Sequence, residues 1–255
     1  MEQAHKAQSP EGRIITAGFV VIGDEILSGR THDKNIAYLA EFLTGLGIDL
    51  KEVRIVPDEE DRIIEAVNAL RPRYTYIFTS GGIGPTHDDI TADSIAKAFD
   101  TGIDHDPRAV AMLEERVGKE GLTEARLRMA RIPTGADLIE NPVSHAPGFH
   151  IGNVFVMAGV PTIMQAMLQE LAPTLEHSTR MVSRSVECPL PESYIADPLR
   201  KIQEKFGKEV VIGSYPQSNN GIYSTQLVIR SRNETRLAEA EAAVKAAVDA
   251  ALKQQ

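Results

Sequence analysis

At 255 residues, 42% hydrophobic and 25% charged, the chain has ordinary globular composition and room for one large domain plus a small one. Its formal net charge of -9 repels a polyphosphate rod and so argues against nucleic-acid binding, but backbone N–H groups can still cradle a small phosphorylated ligand. No run is long and apolar enough for a membrane span, and the single Cys188 excludes an internal disulfide or thiolate cluster, so a reducing, cytoplasmic setting and an inert packed thiol are expected.

Met1 to Gly12 is polar, lacks the apolar segment of a secretory signal, and is expected to be a disordered lead-in. Ile14 to Ile22 is short, β-branched and mostly apolar, which predicts a buried parallel strand ending at Gly23-Asp24. Ile36, Leu39, Ala40 and Leu43 then recur at helical spacing, and Gly45 and Gly47 close that helix. Val53, Ile55 and Val56 predict a second strand, closed by Pro57-Asp58. Ile63, Ile64, Val67 and Leu70 predict a helix that stops before Pro72. Tyr74 to Thr79 predicts a third strand, followed by a glycine-rich turn and a helix over Thr91 to Phe99.

The stretch from about Pro107 to Arg131 reads as helical, with Val110, Leu113 and Val117 on one face, and Ile132 to Gly148 predicts a loop. Asn153 to Met157 is a further strand, and Pro161 sits where the first turn of the next helix tolerates it. After about Arg180 the order becomes strand, helix, strand, strand, helix, with Asn233 capping the last helix. The fold expected is a three-layer α/β/α domain with a mostly parallel sheet over 13–180, plus a smaller α+β domain over 181–255.

Ligands on such sheets sit at the carboxyl ends of the strands. Gly23-Asp24-Glu25, Pro57-Asp58 and the stretch from Ser80 to Asp89 each follow a strand, so they are expected to converge on one edge. In Ser80-Gly81-Gly82-Ile83-Gly84, three glycines free the backbone to approach an anion, and the next helix adds its positive end. Ser80 and Thr86 offer hydroxyl donors, His87 a contact to phosphate, Arg30 or Lys34 a balancing charge, and Asp33 and Asn35 hydrogen bonds. Asp89 and Asp58 each read two ways: as the cap of the following helix, or as a carboxylate facing the cradle. Carboxylates beside phosphate call for a cation between them, so Asp58 and Asp89 are candidate ligands of a divalent metal such as Mg, Co or Ni.

These motifs, with Asn141-Pro142, Ala146-Pro147-Gly148-Phe149, Ala158-Gly159-Val160-Pro161 and Gly213-Ser214-Tyr215-Pro216, resemble the MoaB/Mog-type molybdopterin-binding domain family. Within it, the chain is most similar to the amino-terminal domain of the competence/damage-inducible CinA proteins. The resemblance implies a nucleotide- or pterin-phosphate site with Gly159 and Pro161 beside the glycine turn, molybdopterin as a possible ligand, and a homo-oligomer, dimer or trimer. In the cofactor-synthesis members, residues matching Asp58 and Asp89 serve adenylylation of molybdopterin. In CinA-like members the implied activity is metal-dependent hydrolysis of a pyrophosphate such as ADP-ribose or FAD. Ile83 stands where the cofactor-synthesis members carry Thr, which points away from direct molybdopterin chemistry. The chain ends at Gln255, so the amidase domain of CinA, and with it deamidation of nicotinamide mononucleotide, is expected to be absent. The expected function is therefore a metal-dependent nucleotide pyrophosphatase, with a non-catalytic molybdopterin-binding protein of molybdenum-cofactor biosynthesis as the alternative.

Overall fold

The computed structural model describes residues 13–219 and 221–253. They divide into two compact units, one ending at Ser178 and the other beginning at Thr179. The lead-in expected over 1–12 lies outside the described residues.

In the first unit the elements run β1 (Ile15–Ile22), α1 (Asp24–Leu27), α2 (Asn35–Gly45), β2 (Ile48–Val56), α3 (Glu60–Leu70), β3 (Tyr76–Ser80) and α4 (Thr91–Ala98). They continue with β4 (Ile103–His105), α5 (Pro107–Val117), α6 (Glu124–Arg128), β5 (Arg131–Pro133), β6 (Asp137–Ile139), β7 (Gly148–Ile151), β8 (Val154–Met157) and α7 (Pro161–Leu171). One sheet runs in the order β2-β1-β3-β8-β7-β6. Its first four strands are parallel, and β7 and β6 complete it antiparallel. Strand β1 explains why both faces must be covered. Alternate side chains point to opposite sides of a strand. Ile15, Ala17, Phe19 and Val21 pack on α2 and α7 through Leu39, Leu43, Met164 and Leu168. Val20 and Ile22 pack on the other side with Ile63, Val67 and Ile95 of α3 and α4. This gives three layers, as expected, and brings the carboxyl ends of β1, β2, β3 and β8 to the same edge.

Two expectations need correction. The stretch 107–131 is helical in two pieces with a break between them, and its last residue belongs to a strand. Helix α5 starts properly, with Asp106 accepting from the Arg108 N–H and Pro107 in the first turn, but stops at Gly118. Gly118 takes φ 71°, a value that ends helices, and Thr123 then caps a fresh start by accepting from the Arg126 N–H. The stretch 132–148 is not only a loop: β5 begins at Arg131 and pairs with β4, and β6 pairs with β7. These strands are three or four residues long, too short for a periodic signature.

The second unit contains β9 (Val182–Cys188), α8 (Ala196–Phe206), β10 (Val210–Asn219), β11 (Ile222–Ser231) and α9 (Glu234–Leu252). Its antiparallel sheet runs β10-β11-β9. Cys188 is buried in its core with Leu199, Leu227 and Leu237, and Asn233 caps α9 by accepting from the Arg236 N–H. No helix among the described residues is long and apolar enough to cross a membrane.

Candidate functional site

The loops that follow β1, β2, β3 and β8 line one cleft of about 600 Å³. Of the residues singled out from the sequence, Gly23, Glu25, Asp58, Gly81, Gly82, Ile83, Gly84, Asp89, Gly159 and Pro161 all lie on its wall. The convergence expected from strand order is therefore present.

The floor of the cleft is the glycine turn, and its shape follows from two close approaches. A Cβ on Gly81 would lie 2.1 Å from the Ile22 carbonyl oxygen, and one on Gly82 would lie 2.2 Å from Thr91 Oγ1. Both residues take positive φ, 112° and 67°, so only glycine serves here. The turn is anchored by the Gly81 N–H donating to Met157 O, by Thr91 Oγ1 donating to Gly81 O at 2.9 Å, and by the Thr91 N–H donating to Gly82 O. Among the described residues, the N–H groups of Gly82, Ile83 and Gly84 have no internal acceptor. Helix α4 begins just beyond, with no side chain capping its amino end. Free N–H groups in a turn before a helix form an anion-binding arrangement.

Around that turn stand carboxylates. Asp58 Oδ2 accepts from the Asp24 N–H at 3.0 Å, which ties the loop after β2 to the start of α1. Partial burial raises the Asp58 pKa. The Asp24 hydrogen bond opposes the rise, and the negative charges of Asp24, Glu25 and Asp88 add to it. Asp89 Oδ2 accepts from both the N–H (2.8 Å) and the hydroxyl (2.6 Å) of Thr86. It lies close against Gly84, where a Cβ would come within 2.7 Å. Neither carboxylate caps the next helix. Glu59 and Ile90 occupy those cap positions, and neither offers a side-chain cap. The capping alternative is thus overturned for both residues, because each has taken N–H partners elsewhere.

Several other expected contacts fall away from the cleft. Ser80 is 1% exposed, and its hydroxyl accepts from Asn35 Nδ2 at 2.8 Å and donates to Ala158 O. Thr86 spends its hydroxyl on Asp89. Asp24 contributes its N–H rather than its exposed carboxylate. The His87 side chain is 98% exposed, and Arg30 and Lys34 are exposed and not among the lining residues. Asp33 accepts from the Ile36 N–H and so starts α2.

Asn35 proves to be a strut. It is 5% exposed, and its Nδ2 donates to Ser80 Oγ and to Gly159 O, both at 2.8 Å, joining the loops after β3 and β8. Asn141 holds the far wall: its Oδ1 accepts from the N–H groups of Val143 and Ser144, and its Nδ2 donates to Ser144 Oγ and Ala146 O. The Asn-Pro dipeptide of that loop is the turn signal that marks it. Met129, Val160 and Ile163 give the wall its apolar part, and no local signal announced Met129.

A three-layer fold with a glycine turn and carboxylates gathered at its strand ends defines an α/β protein with a polar cleft at that edge of the sheet. Comparison with known proteins makes this specific. Residues 18–177 match the family model described as a probable molybdopterin binding domain, and the chain belongs to that family. Residues 180–254 match the middle domain of FAD synthase. A protein of Aeropyrum pernix is 36% identical over 214 residues, 80% of each chain. A probable FAD synthase of Caenorhabditis briggsae is 31% identical over 264 residues, 94% of this chain and 50% of that one, so the chain spans about half of that relative. The crystal structure of the protein CinA from Thermoplasma acidophilum covers 62% of this chain and 96% of its own, with 36% identity and a TM-score of 0.59.

Proposed function

We propose that the cleft binds the pyrophosphate of a dinucleotide such as ADP-ribose or FAD and, with a divalent cation, hydrolyses it. The observation that carries this reading is the set of unpaired N–H groups at Gly82, Ile83 and Gly84 in a cleft also lined by Glu25, Asp58, Asp88 and Asp89. The similarity to a probable FAD synthase supports a dinucleotide ligand.

The donor set supports the cation in a particular form. Among the described residues no three His, Cys, Asp or Glu side chains gather into a ready-made metal cage. One or two carboxylates completed by phosphate oxygens and water are the usual surroundings of magnesium, which fits Asp58 and Asp89 better than a site for cobalt or nickel would. A cation bound there would neutralise charge on the phosphate oxygens. The chain's own residues do the rest. The N–H groups of Gly82 to Gly84 hold one phosphate, as donors fixed in advance of the reaction. Whichever of Asp58 and Asp89 does not hold the cation positions the attacking water and accepts its proton. The water oxygen bonds to one phosphorus, the bond from that phosphorus to the bridging oxygen breaks, and the second phosphate leaves with the bridging oxygen. ADP-ribose gives AMP and ribose 5-phosphate.

The test is AMP formation from ADP-ribose and from FAD, with Mg²⁺, Co²⁺ or Ni²⁺ and without metal, beside Asp89→Asn. Metal-dependent turnover lost in the variant supports the reading. Turnover unchanged by Asp89→Asn removes that residue from the chemistry. The family description favours a second reading, a molybdopterin-binding protein without chemistry of its own. A tight pterin complex with no turnover under any metal selects it. Association into a dimer or trimer goes with either reading, and sedimentation showing monomer alone rejects it.

A further inference from the structure

The cleft poses an electrostatic problem. It is lined by Glu25, Asp58, Asp88 and Asp89, and no Lys, Arg or His is among its lining residues. An anion entering it meets carboxylates on several sides. A cation travelling with the ligand relieves part of that repulsion, and the remainder calls for fixed positive charge nearby.

Such charge lies near the turn. A second, small hollow shares Gly82, Ile83, Gly84, Asp89 and Met129 with the cleft, and Arg128 and Arg131 line it. Its volume, about 10 Å³, admits one water at most. The two arginines differ in their commitments. Arg131 makes a bidentate pair with Asp93, at 2.7 and 2.8 Å, which joins β5 to α4. Arg128, the last residue of α6, is half-buried, and its Nε is buried with no hydrogen-bond partner. Among the described residues no carboxylate pairs with its guanidinium. Nearby Asp89 directs Oδ2 to Thr86 instead.

A half-buried, unpaired guanidinium is a costly feature, and an unsatisfied buried donor calls for an explanation. We infer that Arg128 is a positioning residue for the phosphate on the glycine turn, supplying fixed positive charge from the small hollow that shares the turn with the cleft. This rests on the reading of the cleft as a phosphate site and adds the residue that offsets its acidic wall. Between partly buried charges the attraction is screened less than in water.

The test uses the full chain and two probes, ADP-ribose and inorganic pyrophosphate, titrated calorimetrically with and without Mg²⁺. Arg128→Met and Arg128→Gln are expected to weaken binding by about tenfold or more, the range of a lost interaction with a charged group. The loss should be larger without Mg²⁺ than with it. Arg128→Lys, which keeps the charge, should stay within about threefold. The Tm of Arg128→Met should equal or exceed that of the unaltered chain, because an uncompensated charge has been removed. Unchanged affinity in Arg128→Met and Arg128→Gln overturns this inference and leaves the phosphate site standing. Equal losses in the Lys, Met and Gln variants, with lowered Tm, make Arg128 a packing residue and overturn it as well. An unaltered chain that binds neither probe rejects the phosphate site and the role of Arg128 together.

Discussion

Replacing Gly82 by alanine tests whether the turn has the shape described. Alanine at φ 67° enters the left-handed region, which costs a non-glycine residue roughly 1–2 kcal/mol. Its Cβ would also fall 2.2 Å from Thr91 Oγ1, the hydroxyl that donates to Gly81 O inside the protein. Thr91 is fully buried, so its hydroxyl has to rotate away and the bond is lost, at about 1–3 kcal/mol. Together these come to roughly 2–5 kcal/mol, a fall in Tm of roughly 4–20 °C for a unit of this size. Thermal melts of Gly82→Ala, Thr91→Ala and the pair form a double-mutant cycle. With the hydroxyl absent the collision is gone, so the pair should be less destabilised than the two single changes summed, by about 1–3 kcal/mol. Additive costs, or a Gly82→Ala chain melting within about 1 °C of the parent, would refute the geometry of the turn.

Asp58 makes a pH-dependent prediction. Its carboxyl is raised above its ordinary value of 3.8, first by burial, so the folded chain holds that proton more tightly than the unfolded one. Stability from this group is then greatest below the unfolded value and falls as pH rises through the folded one. Asp58→Asn, whose carbonyl still accepts from the Asp24 N–H, should raise Tm at pH 7.5, with the gain vanishing near about pH 4. A gain of the same size at both pH values contradicts it. Asn35→Ala leaves Ser80 Oγ and Gly159 O without their shared donor. It should cost about 2–4 kcal/mol, read as a lowered urea midpoint with unchanged slope, and a midpoint equal to the parent's removes Asn35 as a strut.

How far the sequence revealed this depends on how local each signal was. Strand β1 and the faces of α2, α3 and α4 repeat their apolar residues over enough positions to show the period, and each took the expected structure. The strands β4 to β7 are too short to repeat anything, and Gly118 inside an otherwise helical pattern was the overlooked break. The glycine turn was legible because it is contiguous. The capping alternative for Asp58 and Asp89 was local reasoning that lost to partners at Asp24 and Thr86. Asn35 and Arg128 take their meaning from segments far away in sequence, Ser80 and Gly159 for one and the glycine turn for the other. Only the folded chain brings these together.

The central claim is that the N–H groups of Gly82, Ile83 and Gly84 receive a phosphate. Amide ¹⁵N–¹H spectra recorded while ADP-ribose or pyrophosphate is added with Mg²⁺ address it directly. The account predicts saturable downfield proton shifts, largest at these three amides and small at Gly81, whose N–H already donates to Met157 O. A saturable response that spares the three amides and falls elsewhere would contradict it.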